Sequence, residues 1–504
     1  MQYSQSRQPN ASEKRLIARH AHRFYNNLLI AGVYQFPKDY DPAKLEQLET
    51  YLPALAACLD AHSFLSVVLR KNDEGKQSYH RPDVVNLKQH FHVMNFQGGA
   101  RGSEPITQAV EHICNDPGLS FFNLVETQPP WRIDIMNLGT SGHVNRIFIS
   151  FTYSHYIGDG MSGVAFQKTF AEALSRPFNA MSMNPFFESS PVDLPCLPHL
   201  PVSLVYLLGP ALGHYLPRFI ADWLGMKASV SGSDESTWAG GKTFVSPASI
   251  KDKNLPAVTT AVEIASINDE TTMKVLSACR RHNTKLTSLL NEVIAECLSR
   301  HLPSYTALDD SNNFIASIPT NIRKLAGIPD STMGIFASAA YSRHDIDRHL
   351  GPESEYVITE AMWSKSRIDT AAIHKSSTTL KDQPIALLNW ITDVDAWMAG
   401  QIDRPRDVTW ELSNLLAFDA PKSPGGPSVE TMYFCQPADA TGQPLVFNVI
   451  STKGGDLTIC AAWQVGAASL DERHGEDVQQ TERNFVQEVL RSLEKYLQVI
   501  AEFI

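Results

Sequence analysis

Apolar positions along the chain follow two periods. Between residues 41 and 62, Leu45, Leu48, Leu52, Leu55 and Leu59 recur every three or four positions. That spacing predicts one amphipathic helix, because 3.6 residues per turn bring such positions onto one face. The same spacing over Phe166, Phe170 and Leu174 predicts a helix after residue 160. Phe485, Val489, Leu493 and Leu497 predict a closing helix over 481–500. Asn268 before Asp269-Glu270-Thr271 reads as a helix start, since its side chain can cap the free amides of a first turn. Residues 285–302 predict a longer helix behind it. Other stretches are β-branched and aromatic: 28–36, 63–71, 129–138, 145–154, 257–267, 313–323, 334–344, 408–418, 431–436, 444–452 and 457–465. Bounded by turn residues, these predict strands, with a hairpin turn at "GTSGHVN".

The order of elements predicts an α+β chain in two series. The first runs over 1–200 and the second over 257–504, joined by a crossover at 201–256. Two such lobes leave a cleft between them, a common place for a ligand. Within the crossover, 201–225 is the most apolar stretch of the chain. Pro210, His214, Pro217 and Arg218 interrupt it, so it lacks the ~20 apolar residues of a spanning helix. It predicts a buried helical pair, with contact to a membrane surface or an apolar substrate as the alternative. Residues 229–242, "SVSGSDESTWAGGK", predict a polar, mobile loop.

Composition narrows the functional classes. Of 504 residues, 43% are hydrophobic and 19% charged, which fits neither disorder nor a membrane-embedded chain. Net charge is −11 and there is no Lys/Arg-rich run, so nucleic acid is not an expected partner. The seven cysteines are scattered and show no zinc-ligand spacing, so no metal is expected. They point, with the polar start "MQYSQSRQPN", to a reducing cytoplasmic setting.

The segment "FISFTYSHYIGDGMSG" (148–163) carries the candidate chemistry. Ile147, Ile149, Phe151 and Tyr153 share a strand face that His155 would continue. Gly158 and Gly160 disfavour a helix between His155 and Asp159, so a tight loop is expected. There Asp159 can bind backbone amides or a buried arginine and hold the turn. A histidine at a cleft suits general-base work, since its pKa lies near neutrality. No G-x-S-x-G elbow accompanies it. A base without a protein nucleophile implies that the substrate is the nucleophile. The competing reading is a core histidine beside an aspartate that only caps the next helix.

"SHYIGDG" resembles the H-x-x-x-D-G motif of the superfamily that includes chloramphenicol acetyltransferase, plant BAHD acyltransferases and peptide-synthetase condensation domains. "PPWRIDIM", "IPTNIR", "ELSN", "FNVISTKGGDLTICAAWQ" and the closing helix follow in order. With them the chain resembles the fungal alcohol acetyltransferase family from about residue 14 to 497. The resemblance implies two chloramphenicol-acetyltransferase-like lobes, each a sheet flanked by helices, with an active-site channel between them. It implies acetyl-CoA as co-substrate and a hydrophobic hydroxyl compound as acceptor, such as a terpenoid, a polyketide or a simple alcohol. His155 would be the base, with Asp159 and Gly160 shaping its loop. Arg323 would pair with Asp159, with Arg132 the weaker candidate. Ser413 and Asn414 would stand near the tetrahedral intermediate.

Three departures bear on this. Condensation domains usually carry a second histidine where this chain has Ser154. The D-F-G-W-G segment of plant BAHD enzymes is absent. Where the family often continues S-N-L-G, this chain has Leu416. Transfer from a carrier-protein thioester, thioester hydrolysis and a non-catalytic binding protein are the alternatives. A monomer is expected, with peripheral contact to the endoplasmic reticulum or a lipid surface as an open alternative.

Overall fold

The computed structural model describes residues 3–502 except 26, 39, 73–74, 96–104, 116–125, 177–183, 190–192, 213–219, 221–228, 252–256, 422–425 and 473–474. The first sheet has five strands, in the spatial order Ser428–Cys435, Leu28–Pro37, Val144–Tyr153, Trp131–Ser141, Phe91–Val93. All neighbours are antiparallel except the last, parallel pair. The hairpin expected at "GTSGHVN" joins Trp131–Ser141 to Val144–Tyr153, and Gly142 supplies the left-handed residue (φ 61°) that its turn requires.

The middle strands lack a clean in–out alternation because both faces are covered. Ile30, Ile149, Phe151 and Tyr153 pack into a core that includes the helix Gly160–Leu174. Leu29, Ala31, Val33 and Phe148 face Val262, Cys460 and Ala462 of the second sheet. The second sheet has six strands, in the order Thr260–Ile267, Leu457–Gln464, Leu445–Thr452, Trp410–Phe418, Asn313–Asn321, Ala337–Asp345. Helices Asp269–Arg281, Leu286–His301 and Val478–Glu502 close its other face. Asn268 caps the first of them, accepting from the Thr271 amide at 2.8 Å.

Two features of topology make the site. Strand Ser428–Cys435 follows residue 257 in sequence yet completes the first sheet by pairing with Leu28–Pro37. In the second sheet, Asn313–Asn321 and Trp410–Phe418 pair at only two registers, Ala316↔Trp410 and Ser317↔Glu411. Beyond them the two strands part, and their unpaired portions line a cavity.

Several local expectations differ from the structure. The helix expected over 41–62 is two 3₁₀ turns, Pro42–Glu46 and Leu48–Thr50, and then the helix Leu52–Ala61. Pro53 cannot donate to a preceding turn, so it fits only where a helix begins. Likewise 63–71 holds a 3₁₀ turn before the strand Val68–Lys71. The loop at 229–242 is pinned rather than free. Trp238 is buried in the second core, its amide donates to the Asn313 carbonyl at 3.0 Å, and Thr237 Oγ1 donates to Asn313 Oδ1 at 2.8 Å. In the apolar segment, Leu204–Leu212 is helical, but Leu204, Val205, Leu208 and Leu212 are exposed. The buried pair expected there is not what the described half shows. Residues 213–219 and 221–225 lie outside the described residues. Among the described residues, no helix is long and apolar enough to cross a membrane.

Candidate active site

Strand Val144–Tyr153 ends at Tyr153, and the chain turns through a short 3₁₀ segment, His155–Ile157. Asp159 then caps the helix Gly160–Leu174. This turn fixes His155 half-buried in the wall of the cavity, its ring 5.7 Å from that of Tyr25. Its Nδ1 is enclosed and lies against the backbone of His155 itself, which leaves Nε2 as the nitrogen available to the cavity. Among the described residues, no serine or cysteine hydrogen-bonds to the ring. Burial, and then the positive charge of Arg19, lower the His155 pKa to about 4, so the imidazole is neutral at physiological pH.

Asp159 does not face His155. Its carboxylate accepts from Arg323 Nη1 and Nη2 at 2.8 and 2.7 Å, from the Phe336 amide at 3.0 Å and from the Ser162 amide and hydroxyl at 3.1 and 3.0 Å. Burial alone would push this carboxyl up, but the Arg323 guanidinium and these donors hold it below the usual carboxylate range. Arg323 is fully buried, and its Nε donates to the Thr332 carbonyl at 3.1 Å. Ser162 Oγ in turn accepts from the Gly334 amide at 3.1 Å. Residues 159–162 of the first half are thus clasped to 323–336 of the second. Arg132 lies elsewhere, paired with Asp134 at 2.9 Å. A Cβ at Gly160 would come within 2.7 Å of Leu415 Cδ2 on the facing strand, so that leucine side chain would have to shift.

Ser413 and Asn414 sit on Trp410–Phe418 and line the same cavity. Their side chains differ in availability. Asn414 Nδ2 donates to Thr287 Oγ1 at 3.1 Å, and its Oδ1 accepts from the Leu416 amide at 2.8 Å. The Ser413 hydroxyl has no partner among the described residues. Leu416 stands at φ 64°, in the left-handed region that favours glycine, with its side chain 64% exposed. A leucine there costs roughly 1–2 kcal/mol of backbone strain, and little packing offsets it. Leu416→Gly is therefore expected to leave stability unchanged or raise it by about 1 kcal/mol, after the entropy of an added glycine. A urea midpoint measures this; a clear loss would mean that the leucine side chain holds the wall.

The cavity has a volume of about 960 Å³. Besides the motif it is lined by residues that no short pattern flags. Arg15 and Arg19 come from the N-terminal helix Ala11–Ala21. Tyr25, Glu411, Gln436 and Asp439 lie beside them. Arg19 pairs with Asp439 and stacks over the Tyr25 ring at 4.4 Å. Tyr25 donates to Gln436 Oε1 at 3.3 Å, and Gln436 donates to Glu411 at 2.7 Å. The i, i+4 spacing of Arg15 and Arg19 is the one signal that could have linked two of them. The arrangement can bring a substrate hydroxyl to a neutral imidazole, in a chamber that also holds a serine hydroxyl with no partner among the described residues.

The sequence profile of the alcohol acetyltransferase family matches residues 118–467. The chain belongs to that family. As a member it is an acyltransferase. It is 26% identical over 369 residues to the probable alcohol acetyltransferase FCK4 of Fusarium pseudograminearum, covering 68% of each chain. It is 22% identical over 467 residues to the probable alcohol acetyltransferase crmB of Aspergillus fumigatus, covering 88% of this chain and 91% of that one. Among solved structures, TRI3 trichothecene 15-O-acetyltransferase from Fusarium sporotrichioides superposes with a TM-score of 0.66 at 12% identity, over 98% of this chain and 95% of that one. A starter condensation domain of rhizomide synthetase, solved with C8-CoA, gives 0.53 at 13% identity, over 97% and 95%. At these identities the two structures speak for the fold: the acyltransferase has the two-lobed architecture shared by acetyltransferases and condensation domains.

Proposed function

We propose that this acyltransferase moves an acyl group, acetyl foremost, from a CoA thioester directly to the hydroxyl of a hydrophobic small molecule, with His155 as general base. The observation that carries the reading is the placement of His155. A neutral imidazole presents one nitrogen to a large chamber with no protein nucleophile bonded to it. The names of the relatives support the acetyl group, and the CoA-bound neighbour supports the donor class.

In this mechanism Nε2 takes the proton of the acceptor hydroxyl while its oxygen attacks the thioester carbonyl. The Ser413 hydroxyl donates to the developing oxyanion, a contribution of about 3 kcal/mol for one such donor. The intermediate collapses, the C–S bond breaks, and the imidazolium returns the proton to sulfur. Ester and free CoA are the products. Holding both substrates in one chamber makes the encounter effectively intramolecular. Asp159 and Arg323 take no part in proton transfer; they fix the turn that carries His155.

The test is thiol release from acetyl-CoA with a panel of apolar alcohols, with the ester identified by mass spectrometry. Release that requires an alcohol and yields its acetate supports the reading. Release without alcohol makes the enzyme a thioester hydrolase, and none with any free CoA thioester points to a carrier-bound donor.

The pH profile follows from the base. A histidine whose folded pKa lies at about 4 stays neutral well below its ordinary value. The rate constant kcat/KM is expected to hold its neutral value down to about pH 5 and to fall as pH nears 4. An acid limb centred at about 6.5 would contradict the burial argued for His155. The same shift affects stability. The unfolded histidine binds its proton at about 6.5, so acidification between there and about 4 favours unfolding.

A further inference from the structure

Five arginines line the cavity, and four of them are held. Arg19 pairs with Asp439 and Arg323 with Asp159. Arg406 donates to the Gly241 and Gly442 carbonyls and to Gln464 Oε1, and Arg404 donates to the Gly400 carbonyl. Arg15 makes no hydrogen bond or ion pair among the described residues. It is half-buried, one turn before Arg19 on the same face of the N-terminal helix.

The acids near it are already engaged. Glu411 accepts from Gln436 at 2.7 Å and from Gln443 at 3.4 Å, and Asp439 accepts from Arg19 and from the Thr441 amide at 2.9 Å. Burial, then the charge of Arg19, lower the Arg15 pKa to about 10, so it remains a cation at neutral pH. Asp439 and Glu411 lend its charge some support through space but neither pairs with it, so its guanidinium donors are left for an incoming anion, which would gain charged hydrogen bonds there. The guanidinium fork also matches a carboxylate or phosphate edge with two parallel bonds.

The anion is not expected to be that of CoA. Its phosphates lie a full pantetheine arm from its sulfur, whereas Arg15 stands one helical turn from Arg19, whose guanidinium lies over the Tyr25 ring beside His155. Met161, Leu388, Ile391 and Leu415 line the same chamber and offer apolar surface for the rest of an acceptor.

We propose that Arg15 recognises the acceptor by charge: the alcohol this enzyme acylates carries a carboxylate, or a comparable anionic oxygen group, a few bonds from its reacting hydroxyl. The proposal rests on the acyl-transfer reading and narrows its substrate class.

The experiment compares lactate, mandelate and tropate, each against its methyl ester, as acceptors with acetyl-CoA, in wild type and Arg15→Gln. Wild type is expected to prefer acid over ester in kcat/KM. Arg15→Gln should shrink that preference by about 10- to 100-fold, the range of a lost charged hydrogen bond. Arg15→Lys should keep part of it, since the charge remains without the fork. No acid preference in wild type overturns the proposal. So does a raised KM for acetyl-CoA in Arg15→Gln with the acid-to-ester ratio unchanged, which would assign Arg15 to the co-substrate. Calorimetric binding of the same acids needs no turnover. Binding that weakens in Arg15→Gln supports Arg15 even if no transfer occurs, in which case the acyl-transfer reading is what fails. Equal binding in both proteins overturns the role given to Arg15.

Discussion

His155→Ala is expected to lower kcat by about 10²–10⁴-fold, the usual worth of a positioned general base, while leaving the protein folded. At about 1.36 kcal/mol per tenfold, that is ~3–5 kcal/mol of transition-state stabilisation. The loss should be incomplete, because in the proposed mechanism the shared chamber and the Ser413 hydroxyl, which lines it, would still contribute alignment and an oxyanion donor. It should fall on kcat more than on either KM, since the proton moves only as the hydroxyl attacks. Stability should change little: the ring is half-buried, and its one aromatic neighbour among the described residues is Tyr25 at 5.7 Å. Ester formation under saturating substrates, with a urea melt on the same preparation, separates the two effects. A loss smaller than tenfold would make His155 a wall residue and not the base.

Asp159→Ala should do the reverse and cost stability first. It leaves Arg323, fully buried, without the two short bonds that neutralise it. Breaking one side of a buried pair costs about 3–5 kcal/mol, a large share of the ~5–15 kcal/mol that holds a domain together. The Phe336 amide and the Ser162 cap lose their acceptor as well, and both halves meet at this point. Arg323→Ala should match it in size, and the double variant should cost less than the sum, because neither charge is then stranded. Urea denaturation of the three variants reads this directly. A cost below about 1 kcal/mol for Asp159→Ala would mean that the clasp is not what fixes the turn. Activity per folded molecule should fall too, because the clasp fixes the turn that carries His155 even though Asp159 faces Arg323 and not the imidazole.

The sequence is most informative where a local rule governs the outcome. The strands at 28–36 and 145–154, the cap at Asn268 and the closing helix follow from periodicity and side-chain chemistry, and the structure has them. The tight turn around Gly158 and Gly160 was legible for the same reason. What the pattern hides is settled by distant packing. Helix Glu360–Thr378 buries Ser366 and Asp369 beside Met362 and Trp363, so its inner face is partly polar and its period weak. The pairing of Ser428–Cys435 with Leu28–Pro37 spans almost the whole chain, and no local signal records it. Trp238 pins a segment whose other residues all read as loop. Arg15, Arg19 and Glu411 line one cavity although about 390 positions separate the arginines from the glutamate in sequence. Leu416 stands at φ 64°, in the region that favours glycine, and nothing in the local pattern of the strand announces it.

Direct transfer, with the substrate as the only nucleophile, is tested most directly by varying both substrates together and weighing the intact protein. Initial rates over a grid of acetyl-CoA and alcohol concentrations should give intersecting double-reciprocal lines, as a ternary complex requires. The protein held with acetyl-CoA alone should keep its unmodified mass. Parallel lines, with a protein heavier by one acetyl group, would contradict the account, because a residue of the chain and not the acceptor hydroxyl would then be attacking the thioester.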